Sequence, residues 1–383
     1  MKTIGSAILA FCGLLAVQGF ANAAEQAVPE RFQRYDDNSK YVLNYDDLTA
    51  MLDAVVVDVG RSDRSKAPPT QAKTGTRAQV KINRATINEG NRFYFETFED
   101  NEANKQAISA IQQGIENATS EVGLENFSRN EQLAYWLNLY NATVLNEIVK
   151  VYPQRDLEKL MYGKNSILSQ KLLTVEGVPL SLDDIQFTIL RKNYNGDPLI
   201  LYGLYQGVIS GPSIRKAAYT GANVYDALAA NAREFINSNR GTASQNAKKF
   251  RVSSFYERNK AFFPNFEADL TAHILEYVEG DERTALQSAS TIKPDISDWT
   301  VTDLGGTRRV IGGSFSDSSA ALMGSVNSSA PASVGGSTAA ITGSATSGGI
   351  NSALIKQVQE KEESDTDEDD SDEKSDSEGD KNN

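Results

Sequence analysis

Cysteine is almost missing from this chain. Its 383 residues include one cysteine, Cys12, and one histidine, His273. Cys12 lies in the opening stretch "MKTIGSAILAFCGLLAVQGFANA", where Lys2 precedes an apolar run from Ile4 to Val17 and Ala21-Asn22-Ala23 closes it. That order predicts a secretory signal peptide over residues 1–23, cleaved after Ala23. Cys12 sits inside the apolar run behind Phe11, which argues against a lipoprotein. The mature chain then carries no thiol, and this excludes a disulfide, a cysteine nucleophile and a thiolate metal ligand.

Long hydrophobic runs are scarce as well. The run from Ile4 falls short of the ~20 residues that a membrane span needs, so no permanent transmembrane anchor is expected. Basic residues are few: 38 Lys and Arg stand against 51 Asp and Glu, a net charge of −13. Most of that charge is local, because Glu360–Asn383 alone carries −10. The remainder is near neutral and has no basic patch, so nucleic acid is not an expected partner. A chain of this length can bury a full core without disulfides. Export to a bacterial periplasm or beyond is the localisation these features predict.

Between the two ends the composition is globular. Residues 24–129 are expected to form a helical and extended region that packs on the core, with a loop "GRSDRSKAPPTQAKTGTR" from Gly60 to Arg77. The main body spans 130–305. From about Gly312 the chain turns to Gly, Ser and Ala, a composition without the bulky residues of a core, so 312–350 is expected to be a disordered linker. An acidic tail follows over 351–383. Its start, "INSALIKQVQEKEE", suits a short transient helix, and the rest is a solvated polyanion suited to weak binding of basic partners or divalent cations.

Ser128 and Glu131 form a capping box that opens a helix with Leu133, Trp136, Leu137, Tyr140, Val144, Leu145 and Ile148 on one face. Tyr152-Pro153 stops it. "KLLTVEGVPLS" has two β-like runs around Glu176-Gly177, a hairpin pattern. Ser181 and Asp184 form a second capping box, and its helix ends in "NYNGDP". "LILYGLYQGVISGP", Leu199–Pro212, is apolar on both faces before a glycine-rich turn, which predicts a central strand. Asn223–Gly241 and "FEADLTAHILEYV" read as amphipathic helices, and "KFRVSSFYE" as a strand. The class these elements predict is α+β, with helices packed on a small, largely antiparallel sheet.

Chemistry-bearing candidates are thin. One His and no Cys nearly exclude a catalytic zinc, and no EF-hand spacing is present. His273 borders an apolar helix stripe, a position that suits a packed histidine better than a catalytic base, and no G-x-S-x-G elbow accompanies it. Of the paired carboxylates, Asp183 and Asp184 are best placed, but a helix N-terminus already accounts for one of them. Gly203, Gly207 and Gly211 lack the lysine and Ser/Thr of a phosphate loop, although amides near Gly211 could hold an anion or a carbonyl oxygen.

Four segments, "NEQLAYWLNLYNATVLNEIV", "PLSLDDIQFTILR", "DPLILYGLYQGVISGPSIRKAAYTGANVYDALAANAREFINS" and "ISDWTVTDLGG", resemble in this order the DUF547 family, over Asn130 to Gly305. "EGNRFYFETF" resembles the upstream part of its exported bacterial members. The resemblance implies a distant likeness to papain-like or transglutaminase-like thiol hydrolases. It also implies a His at the position of Leu201, an Asn-Cys pair at Tyr205-Gln206, a second Cys at Gly211, and Glu and His at Gln186 and Phe187. All are replaced here, while Trp136, Asn138, Asn141, Asp183, Arg191, Pro212 and Trp299 match.

A thiol cannot be replaced by Gln or Gly, nor a general base by Leu or Phe. The expectation is therefore a binding module without catalytic residues, cofactor or metal, whose partner is an envelope protein or a small ligand. Its candidate cleft is drawn from Asn138, Asn141, Asp183, Arg191, Tyr202, Tyr205, Gln206, Gly211 and Arg215. For both arginines, structural pairing competes with holding a carboxylate, and Asn138 and Asn141 suit buried backbone groups better than a ligand. The alternative is a hydrolase or transferase using Asp183, Tyr205, Ser210 or Ser213. A carboxylate beside Ser210 or Ser213 in an open cleft would favour that alternative. A corner filled by Leu201, Tyr205 and Phe187 would count against it.

Overall fold

The computed structural model describes residues 27–67, 83–304 and 355–357. The expected signal peptide, the 312–350 linker and the acidic tail apart from Ile355–Gln357 lie outside these residues. The principal elements begin with β1 (Tyr41–Leu43), α1 (Asp46–Val55), β2 (Val56–Val57), β3 (Arg92–Phe93), α2 (Glu102–Asn117), α3 (Arg129–Val151), β4 (Leu173–Val175), β5 (Val178–Leu180), α4 (Val224–Ile236) and β6 (Thr242–Asn246). Then come β7 (Lys249–Ser253), α5 (Ser254–Arg258), α6 (Phe266–Tyr277), α7 (Gly280–Ser288), β8 (Thr291–Ile296) and β9 (Ile355–Gln357).

The class is α+β, but the sheet is divided. β2–β3 and β4–β5 are antiparallel pairs, and β6-β7-β8 is a mixed sheet in which β7 and β8 run parallel. β1 pairs antiparallel with β9, with Tyr41 opposite Gln357. The helix expected at 350–363 is therefore replaced, at its described residues, by a strand.

α3 is the centre of the molecule. Ser128 caps it, its hydroxyl accepting from the Glu131 amide at 3.2 Å. Eighteen of its 23 residues are buried, so the helix is enclosed on all sides rather than on the single apolar face its sequence suggests. Burial of Trp136, Leu137 and Tyr140 stabilises by about 2 kcal/mol each. Phe32 meets the Trp136 ring edge-on at 5.1 Å, so the N-terminal region shares this core.

The second half of the capping box is put to another use. The Glu131 carboxylate accepts from the amides of Leu43 and Gly221 at 3.0 and 2.9 Å, tying β1 and the 219–223 turn to the start of α3. Its removal from water raises its pKa, which those two amides counteract. The β4–β5 hairpin turns at Glu176 and Gly177, both at positive φ, as a two-residue loop of this twist requires.

The main correction concerns Leu199–Pro212. Pro198–Gly203 is a 3-10 helix, not a strand. Asp197 caps it, accepting from the Leu199 amide at 2.9 Å, and Pro198 supplies the fixed φ of a first helical turn. The following residues are extended but make only an isolated bridge, Val208 to Val301. Both faces are apolar because the segment is enclosed by α3 and α4, not because it lies in a sheet. The other capping box is complete: Ser181 and Asp184 exchange side-chain and backbone hydrogen bonds. It opens a π-helical turn, Asp184–Leu190, which runs into Arg191–Asn193.

Candidate functional site

Every residue from Ile200 to Ile214 is buried. This corner is held by amides and glycines. Asn141 accepts from the Tyr205 amide and donates to the Gly203 carbonyl, both at 2.9 Å. One helical turn away, Asn138 does the same for Tyr219, at 2.8 and 2.9 Å. Two helix side chains thus pair with backbone that would otherwise be unsatisfied.

Gly203 lies where a Cβ would press on Leu228 at 2.7 Å and Leu137 at 2.8 Å. Gly207 has φ +73°, and a Cβ there would collide with Ile148. These glycines permit close packing and bind no phosphate.

The late motif closes the corner from outside. Ile209 donates to Thr300 at 3.0 Å, Ser210 to Asp298 at 3.1 Å and Thr302 to Gly207 at 2.9 Å. The same segment accepts from Leu157 and Phe93. Val301 and Thr302 therefore join three parts of the chain.

The nine candidate residues do not line one cleft. Tyr202 is buried, with its hydroxyl 3.0 Å from those of Tyr256 and from His273 Nε2. His273 is buried, which pushes its pKa down to about 4, so it is a neutral packed histidine. Tyr205 bonds Thr302. The Gly211 carbonyl accepts from buried Arg240, which also bonds Ser213 and Glu234.

Asn138, Asn141 and Arg215 line a cavity of about 10 Å³, room for a single water, and Arg215 lies 4.8 Å from the Tyr219 ring centroid. Arg191 lines a separate open groove of about 470 Å³ with Lys192, Asn195, Gly196, Ala261, Phe262 and Pro264.

Ser210 Oγ donates to the Asp298 carbonyl at 3.1 Å, and Ser213 Oγ receives the Asn91 amide and Arg240, both at 3.0 Å. No carboxylate bonds either serine among the described residues. Leu201 and Tyr205 fill the corner, while Phe187, half-buried, packs on Phe262 at 6.2 Å.

Gln206 and Asp183 face a different surface. Gln206 Nε2 donates to Tyr162 Oη at 3.3 Å, and Arg258 Nη2 reaches Gln206 Oε1 at 3.4 Å. Arg258 Nε also donates to Tyr162 Oη, at 3.1 Å. Its guanidinium stands 4.5 Å from the Trp299 ring centroid and 5.2 Å from that of Tyr162, a cation–π arrangement. The two rings meet edge-on at 5.3 Å.

Tyr162 is 41% exposed, so this ledge is where the corner reaches solvent. Burial raises the Asp183 pKa, and neighbouring Asp184 adds to the effect. Asp184 behaves oppositely: burial would raise it, but hydrogen bonds from Lys171 and Ser181 hold it below the usual carboxylate range.

The position at which the sequence resemblance implies a cysteine is thus a buried glutamine beside an aromatic–arginine ledge. Residues 124–236 match the family model described as Protein of unknown function, DUF547. That stretch is similar to DUF547. It begins just ahead of α3 and ends with α4, so Tyr162 and Gln206 are inside it, whereas Arg258 and Trp299 are supplied from beyond it. No curated protein and no solved structure matches the chain.

Tyr162 and Arg258 were not among the residues that the sequence singled out. Tyr162 ends a short helix and Arg258 ends α5, 96 residues apart, and no local pattern links them. Trp299 stood out only as a framework match. Among the described residues no cluster of three or more His, Cys, Asp or Glu could hold a metal, and no helix is long and apolar enough to cross a membrane.

Proposed function

We propose that this chain is an exported, non-catalytic binding module of the bacterial envelope, built on a DUF547 frame. The observation that carries the reading is the sealed corner. Gln206 stands where a nucleophile would be, 2% exposed, with its amide engaged by Tyr162 and Arg258. Leu201 stands at the base's position, enclosed in the core. Neither can take or give a proton at neutral pH, and Ser210 and Ser213 are occupied by backbone and arginine partners. A frame so tightly held, with its reactive positions filled by inert side chains, suits recognition. The distant likeness to thiol hydrolases belongs to this reading and rests on the sequence motifs.

Three measurements test it. The mature protein should begin at Ala24 in the envelope fraction by mass spectrometry, and an intact Met1 there would contradict export. A fluorophosphonate probe should leave Ser210 and Ser213 unlabelled; labelling of either would establish a reactive serine and overturn the non-catalytic reading. A pull-down from envelope extract, with and without residues 312–383, should recover a partner in both cases if the folded part carries recognition.

A further inference from the structure

The ledge beside Gln206 has the chemistry of a site for one class of ligand. Two rings, Tyr162 at 41% exposure and the partly buried Trp299, meet edge-on at 5.3 Å. Arg258 fixes them. It donates from Nε to Tyr162, from Nη1 to Ser254 at 2.7 Å and from Nη2 to Gln206, which uses three of its five N–H groups. Two donors remain at the ledge.

Tyr162 Oη accepts from both Gln206 and Arg258, so its own proton is left to donate. The hydroxyl of fully buried Tyr140 has no hydrogen-bond partner among the described residues. The charges of Tyr162 and Asp183 act on that hydroxyl and add to the effect of its burial, which raises its pKa. A buried hydroxyl without a partner is rare in a folded protein and points to one that arrives from solvent or with a ligand. The Asp183 carboxylate also has no hydrogen bond or ion pair among the described residues, and it is within reach of Tyr162.

The ledge therefore offers partly exposed rings, N–H and O–H donors without a protein partner, and a carboxylate acceptor. Charge narrows the ligand. Arg258 lies over the ring faces a cation would seek, and the Asp183 carboxylate, without an ion-pair partner among the described residues, opposes an anion. We propose that Tyr162, Trp299, Arg258, Gln206 and Asp183 form a binding site for a neutral oligosaccharide. Pyranose C–H faces would stack on the rings and hydroxyls would bridge Arg258 to Asp183. The inference rests on the binding-module reading and gives it a ligand class.

The chain carries two tryptophans, and they separate cleanly: Trp136 is fully buried and Trp299 is at the ledge. Acrylamide quenching of the full chain's fluorescence therefore reports on Trp299. With cellohexaose, maltohexaose, xylohexaose and chitopentaose as probes, at least one should lower the quenching constant by about twofold or more. Tyr162→Ala should weaken that probe about tenfold, the loss expected for removal of one stacking ring. Tyr162→Phe, which keeps the ring and loses the hydroxyl, should weaken it less and verify that the fold is intact.

Four probes without effect would overturn the proposal, as would protection that survives Tyr162→Ala, or protection by hexagalacturonate equal to that of the neutral sugars. If the sugars fail while the pull-down still recovers a partner, only the ligand class falls. If a fluorophosphonate labels Ser210 or Ser213, the binding-module reading falls with it.

Discussion

The corner at 200–214 and the ledge at Tyr162, Arg258 and Trp299 touch through one residue, Gln206, yet they are built on opposite terms. The corner is apolar, close-packed and closed by glycine and asparagine. The ledge is polar, half-exposed and held by a single arginine across two rings. The corner is buried throughout, so substitution there changes stability; the ledge reaches solvent at Tyr162, so substitution there should change binding. A thiol at residue 206 would have reacting partners to find, whereas glutamine ties the corner to the ledge and seals it.

The sharpest way to break this comparison is Gly207→Ala. It adds a Cβ against Ile148 at a positive φ, and should destabilise by about 3 kcal/mol or more in a denaturant titration. A loss under ~1 kcal/mol would show that the corner yields more easily than its packing implies.

Leu201→His places an imidazole at a fully buried position and should cost about 2–4 kcal/mol at neutral pH. Stability close to wild type would instead mean that the corner keeps room for a polar group.

A third test uses pH. His273 has a folded pKa of about 4 against an ordinary 6.5. Above pH 6.5 it is neutral in both states and contributes no pH dependence. Between pH 6.5 and 4 the unfolded chain binds a proton that the native chain refuses, so stability falls with pH, by roughly 3 kcal/mol at most. His273→Gln should flatten that slope, and an unchanged slope would assign the acid loss to other groups.

The smallest effect is expected at the ledge. Tyr162→Ala should cost about 1–2 kcal/mol of stability, because its ring is 41% exposed and packs at the rim rather than in the core. A larger loss would make Tyr162 part of the corner's seal.

How far the sequence foretold all this depends on the range of the forces involved. The start of α3, the β4–β5 hairpin and the helix opened at Ser181 were legible because a cap or a two-residue turn is encoded within four positions. The segment after Asp197 was misread for the same reason. Its apolar run suits a buried strand, while the Asp-Pro pair that caps the helical turn reads, in sequence, as the end of the preceding helix.

Glu131 illustrates the limit of a local motif. The capping-box residue was recognised, but its carboxylate bonds Leu43 and Gly221, partners 88 and 90 positions away. The ledge was invisible for want of any local signal, since tertiary packing alone brings Tyr162, Arg258 and Trp299 together. Asn138 and Asn141 were readable as backbone partners, although which carbonyl and amide each would hold was not.

The thread from Asp298 to Thr302 carries a kinetic consequence. Its hydrogen bonds reach Phe93, Leu157 and Gly207–Ser210, so contacts that complete the centre join stretches as much as two hundred residues apart. Closing such distant pairs is slow, because chain entropy must be given up before any contact offsets it. The nascent polypeptide cannot lock its corner until residue 302 has been made. Ending the chain at residue 297 should leave the amides of Ile209 and Ser210 without acceptors and the core open along that side.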